Sequence, residues 1–303
     1  MDPIHLGGLL LGGSLAAITP TALDITAVRA IARLSPWMRG DRADVIAMLR
    51  RTLGVSDRDA RALYKRHLSM RADDTWARMR GILRPDWRLQ SRIEGIEMLE
   101  DALVRGRGAV IWLTRTGATL GNFHAFALAG HPLNHVSLEG HGSITKTNFS
   151  FEHVAPIYLR SELGALNSRI VIPYGKKTPG YLQRARRCLR ENRCVSLFGE
   201  HPGSAYTEAT LLGEHRRFAI GAPALAWLED SGLFMAHSRW VAPLQQVVTL
   251  DRVPVDRSMP MREFAEAATK QYVCRLEAWI REHPADWQGW SYPDESFPSM
   301  LVK

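Results

Sequence analysis

The chain has 303 residues, 46% of them hydrophobic and 23% charged, which allows a sizeable core and excludes a disordered or fibrous chain. Its formal net charge of +8 favours an acidic partner: a carrier protein, coenzyme A, an anionic phospholipid surface or nucleic acid. Cys188, Cys194 and Cys274 are too few and too irregularly spaced for a disulfide frame or a zinc site, and they suit a reducing, cytoplasmic setting.

Residues 6–18 are apolar and glycine-rich, but Ser14 interrupts them and Pro20 ends them. They fall short of the roughly 18 consecutive apolar residues of a spanning helix, and no positive region precedes them as in a signal peptide. A packed or interfacial segment is expected. Arg42–Leu53 reads as an amphipathic helix. Ser56-Asp57-Arg58-Asp59 then caps a long helix that continues to about Leu83, with Leu63, Tyr64, His67, Leu68, Trp76 and Met79 along its apolar stripe.

From Arg92 short apolar runs alternate with helical stretches. Helices are expected over 97–105, 120–129, 181–190 and 221–228, and strands over 109–114, 135–138, 169–174, 194–198, 233–241 and 246–256. The last helix, 261–281, carries Phe264, Ala268, Tyr272, Leu276 and Ile280 at fourfold spacing, and His283-Pro284 ends it. This alternation predicts an α/β fold with a largely parallel sheet. A helical portion (1–91) and an α/β core (92–303) are expected to form one unit, since no repeat or linker divides them.

The chemistry concentrates in residues 109–128. A buried, β-branched strand leads through a glycine-bearing turn into Leu120-Gly121-Asn122-Phe123-His124, which opens a helix. Backbone N–H groups are free at a helix start and the macrodipole favours negative charge there, which suits a developing oxyanion. Thr116, Thr119 and Asn122 add polar donors; equally, Thr119 caps the helix and Asn122 satisfies local backbone. His124 is the one side chain here with an ordinary pKa near neutrality, so it is read either as a base or as a hydrogen-bonded structural histidine. Glu200 and His201 follow the 194–198 strand at its carboxyl end, as a partner for His124 or a substrate amine and a reserve base, or as a solvent-facing pair.

These residues resemble the late acyltransferases of lipid A biosynthesis. That family has a strand, then His-x-Gly-Asn-Trp-Glu, then a helix; the histidine is the general base and the closing acidic residue orients it. Here Gly121, Asn122 and Phe123 match the centre, and His124 occupies the acidic position. The histidine position is Thr119 when aligned on Gly-Asn, or Thr116 when aligned on the strand. The resemblance extends through Arg92-Ile93-Glu94-Gly95-Ile96-Glu97, through residues 169–221, where Glu200 stands for a loop aspartate, and to Arg281-Glu282-His283-Pro284-Ala285-Asp286-Trp287. It covers roughly residues 40–290.

The resemblance implies a glycerolipid-acyltransferase-like α/β fold and transfer of an acyl group from an acyl carrier protein or coenzyme A thioester to an amine, hydroxyl or lipid acceptor. The expected catalytic residues are His124, Thr119, Asn122 and Glu200. Thr116, Gly121, His201, Arg169 and Lys176 are expected to contact substrate. Lys177, Arg184, Arg186, Arg187, Arg190 and Arg193 add either a phosphate contact for the carrier or a solvated helix face. A catalytically inactive homologue that binds an acyl chain or carrier protein is the alternative.

No metal or other cofactor is expected. His131, His135 and His141 carry no acidic or cysteine companion at ligand spacing. No Gly-x-Ser-x-Gly elbow, P-loop or dinucleotide fingerprint occurs, and nothing pairs the charge with a nucleic-acid motif. A cytoplasmic protein is expected, attached peripherally to the inner face of the membrane.

Overall fold

The computed structural model describes residues 29, 42–84, 86–141, 152–153, 155–173, 180–200 and 205–291. The apolar N-terminal stretch, Lys176, Lys177 and His201 lie outside the described residues. Helix α1 (Arg42–Leu53) buries Val45, Ile46 and Leu49, the apolar side of its pattern. Helix α2 (Asp57–Leu83) starts where the sequence places it, with the Ser56 hydroxyl accepting from the Asp59 N–H at 3.1 Å.

The α/β portion runs β1 (Gln90–Glu94), α3 (Ile96–Leu103), β2 (Ala109–Leu113), α4 (Thr119–Leu128), β3 (Asn134–Leu138), α5 (Ala155–Leu163), β4 (Ser168–Ile172), α6 (Gly180–Arg190) and β5 (Cys194–Phe198). It continues with β6 (Tyr206–Leu211), β7 (Glu214–Ala219), α7 (Gly221–Glu229), β8 (Gly232–Ala242), β9 (Gln245–Val253) and α8 (Met261–Glu282). Two 3-10 turns, Pro284–Asp286 and Gln288–Ser291, end the described chain. The seven-stranded sheet has the order β1-β9-β8-β2-β5-β3-β4, and β6 pairs with β7 as a separate antiparallel ribbon. Strands β8, β2, β5, β3 and β4 are parallel; β9 runs antiparallel to β8 and carries β1 parallel to itself.

Strand β2 is buried along its whole length because it has helices on both faces. Val110 and Trp112 point to one face, into a cluster with Tyr272 and Leu276 of α8, Leu225 of α7, and Val45 and Leu68 of α1 and α2. Ile111 and Leu113 point to the other, against Leu99 of α3 and Phe123 and Phe126 of α4. The N-terminal helices therefore share the core of the sheet, and the expected boundary at residue 92 falls inside β1. Strand β1, helix α5 and the β6–β7 ribbon are additions to the sequence reading. Among the described residues, no helix is long and apolar enough to cross a membrane.

Candidate functional site

The expected site lies where β2 ends and α4 begins, at the carboxyl edge of the parallel strands. Three backbone donors of its turn are engaged. The Arg115 N–H donates to Glu200 Oε2, the Gly117 N–H to the Asp286 carbonyl at 2.9 Å, and the Ala118 N–H to Gln246 Oε1 at 2.7 Å. At these three positions, which precede the helix, the turn is closed: the β5 loop, the C-terminal turns and β9 each reach in and fill a donor. Gly117 is required here, since its φ is +54° and a Cβ would lie 2.6 Å from Ser238 Oγ.

The side chains of the motif are engaged in part. Ala118, not Thr119, is the N-cap, and it makes no side-chain cap; Thr119 is the first helical residue and is buried. Asn122 is fully buried, its Oδ1 accepting from Gln246 Nε2 at 3.1 Å while its Nδ2 has no partner among the described residues. A Cβ on Gly121 would come within 2.8 Å of the Gln246 amide, so this glycine makes room for a glutamine of the protein itself. Thr116 Oγ1 accepts from the Ser238 N–H at 2.8 Å and lies 2.7 Å from Thr114 Oγ1. These contacts correct the expectation that Thr116 and Gly121 face substrate.

His124 is fully buried and is not the base. Its Nδ1 accepts from the Leu89 N–H at 2.7 Å, which places the ring proton on Nε2. Burial, with Arg88 and Arg78 nearby, pushes its imidazole down to about 3. Glu200 is not its partner either, because Glu200 Oε1 accepts from Trp287 Nε1 at 2.7 Å and Oε2 from Arg115. Burial pushes the Glu200 carboxyl up, against the hydrogen bonds from Trp287 and the Arg115 N–H. It is a pin between the β5 loop and the C-terminal turns.

The remaining candidates disperse. Arg169 donates from Nε to Ser137 Oγ at 2.7 Å and from Nη2 to the Leu138 carbonyl at 2.6 Å, tying β4 to the end of β3 rather than facing substrate. On α6, Arg186 and Arg190 share one carboxylate, Glu229, and beyond the helix Arg193 pairs with Glu191 at 2.7 Å, so part of that charge is balanced within the protein.

A second polar cluster sits beside α4, off the end of β3. His141 Nε2 lies 2.8 Å from Glu162 Oε2, and Arg78 Nη1 donates to Glu162 Oε1 at 2.7 Å. The sequence reading finds no acidic or cysteine companion at ligand spacing for His141; the fold brings it one carboxylate over a longer range, from α5, 21 residues further on. Glu162 is buried, as is Arg78, whose guanidinium lies 4.3 Å over the Tyr158 ring. Burial alone would raise the Glu162 carboxyl, but His141 and Arg78 outweigh it and hold it well below the ordinary carboxylate range. His135, 6.1 Å from His141 between ring centres, bonds Ser196 Oγ at 2.9 Å and packs on Phe123 and Phe198. A lone carboxylate within the short helix Ala155–Leu163 at a buried position requires a partner. Among the described residues no three histidines, cysteines or carboxylates gather as a metal site.

Compared with known proteins, the chain matches no protein-family model and no curated protein.

Proposed function

We propose that the protein transfers an acyl group from a carrier-protein or coenzyme A thioester to an amine or hydroxyl acceptor, on a glycerolipid-acyltransferase-like fold. The observation that carries this reading is the position of the Gly121-Asn122-Phe123 motif. It opens the helix after β2, in the interior of a parallel sheet and at the carboxyl edge, where open α/β sheets bind their ligands. An amine needs less base assistance than an alcohol, being a good nucleophile when neutral, so loss of the motif histidine is tolerable for such an acceptor.

One observation favours a second reading, a non-catalytic protein that holds an acyl chain or carrier. Thr116, Asn122 and Glu200 are each bound within the protein, which takes three of the side chains expected at the site out of play. Mass spectrometry separates the two. The purified protein is incubated with a panel of acyl-carrier and coenzyme A thioesters and with amine, hydroxyl and lipid acceptors. Appearance of the acylated acceptor with free thiol supports transfer. Retention of intact thioester on the protein with no product supports the binding role.

A further inference from the structure

The motif helix holds no usable base, yet a histidine–carboxylate pair stands next to it on other elements. Its two members have the complementary properties that proton transfer needs. Glu162 is 1% exposed, and both its oxygens are occupied, one by Arg78 and one by His141. The His141 side chain is 26% exposed, so it is reachable from outside while its acid is not. Because Glu162 is held ionised and accepts, Nε2 carries the ring proton, and Nδ1 is the basic nitrogen. Nδ1 has no hydrogen-bond partner among the described residues.

The surroundings place this pair beside the proposed acyl-transfer site. His141 faces His135, and His135 packs 4.9 Å from Phe123 of the motif helix and 5.6 Å from Phe198, where β5 ends at the carboxyl edge. His135 cannot serve in its place, being buried and bound to Ser196. Among the described residues, the charged and titratable groups around His141 include Glu162 from α5, Arg78 of α2 behind it, His135 from β3 and, from β4, Arg169, whose guanidinium reaches the Leu138 and Glu139 carbonyls.

We propose that His141 is the general base of acyl transfer, with Glu162 and Arg78 as positioning residues; this rests on the acyl-transfer reading above. The acceptor's hydroxyl or amine gives its proton to His141 Nδ1 as its oxygen or nitrogen bonds the thioester carbonyl carbon. The carbon–sulfur bond then breaks, and the imidazolium, stabilised by the Glu162 carboxylate at Nε2–H, returns the proton to the departing thiolate. The products are the acylated acceptor and the free carrier thiol, and no oxidant, reductant or metal enters.

The test uses the full-length protein with a donor and acceptor identified from the panel. His141→Ala is expected to lower single-turnover acyl transfer by on the order of 10²–10⁴-fold, the usual contribution of a positioned base. Millimolar imidazole, which reaches a partly exposed ring position, is expected to restore part of that rate. Circular dichroism controls for folding. Glu162→Gln is expected to lower the rate less and to move the acid limb of the pH–rate profile to lower pH, since the imidazolium loses its carboxylate. Near wild-type rates in His141→Ala overturn the proposal while leaving acyl transfer intact, as does a loss that imidazole does not restore, which marks the ring as structural. A wild-type protein that moves no acyl group from any donor overturns both.

Discussion

At the scale of single residues, the fold spends its polar side chains on holding itself together. His124 and His135 are both pushed down to about 3, His124 by burial with Arg88 and Arg78 and His135 by burial with His141. Both are therefore neutral throughout the physiological range. Nuclear magnetic resonance titration is expected to show neither imidazole moving between pH 5 and 8; a midpoint near 6.5 for either would contradict the buried arrangement. The linkage has a definite sign. Both pKa values lie below the unfolded value of 6.5, so the stability these groups contribute is present above that pH and is lost as pH falls towards 3, by up to about 1.4 kcal/mol per pH unit for each. Gly199 is a steric case. A Cβ there would lie 2.5 Å from both Trp112 Nε1 and Tyr272 Cζ, whose rings stack at 4.3 Å beneath the β5 loop. Gly199→Ala is expected to cost about 1–3 kcal/mol by overpacking, read as a lower urea midpoint at unchanged slope.

At the scale of elements, the C-terminal turns act as a strap across the β2–α4 connection. Besides the Gly117 and Glu200 bonds, the Gln288 N–H donates to the Arg115 carbonyl at 2.8 Å and Gln288 Nε2 to the Gly117 carbonyl at 2.7 Å. Trp287 and Trp290 are buried against each other, ring centres 4.7 Å apart. Burial raises Asp286 from 3.8 to about 7, against the Trp240 backbone hydrogen bond and the charges of Arg66 and Arg239. With the folded value above the unfolded one, the native state holds the extra proton. Stability from this group is present below pH 3.8 and is lost as pH rises to about 7. Asp286→Asn removes that dependence. Its stability relative to wild type is expected to rise between pH 4 and 7 and level off beyond, measured by urea unfolding at each pH. A constant difference across that range would show that Asp286 ionises normally.

Elements were legible where local chemistry and tertiary packing agree. Cys194–Phe198 and Arg42–Leu53 carry their own period and match the sequence reading residue for residue. The ribbon of β6 and β7 escaped it, because β7 is rich in charge and the turn between the strands sits at Leu212-Gly213 with φ of 55° and 82°. Asn-Gly or Asp-Gly is the usual signal for two such positive angles, and leucine gives none. Strand β1 likewise reads Gln-Ser-Arg-Ile-Glu, polar because it lies at the sheet's edge. The candidate site was legible only as a motif. Nothing in the sequence around residues 116–124 indicates that Gln246, Asp286 and Glu200 will arrive to occupy its donors, nor that α5 brings Glu162 to His141. Such long-range pairings depend on strand order, which periodicity does not encode.

At the scale of the molecule, the question is what the net charge of +8 does once internal pairs are removed. Arg186 and Arg190 share Glu229, Arg193 pairs with Glu191 and Arg216 with Glu214, but pairing within the protein does not alter its net charge and leaves the excess positive charge in place. That excess must be met by solvent counterions or by an acidic surface. Each Lys or Arg near an anionic bilayer contributes about 1 kcal/mol, and the attraction fades beyond a Debye length of about 10 Å at 0.1 M salt and 3 Å at 1 M. Among the described residues, no helix is long and apolar enough to cross a bilayer. The protein is expected to sediment with phosphatidylglycerol-containing vesicles at about 0.1 M salt, to leave them at about 0.5 M, and to ignore pure phosphatidylcholine. Binding to both vesicle types that survives high salt and carbonate would instead point to apolar insertion, and the charge would then be irrelevant to membrane attachment.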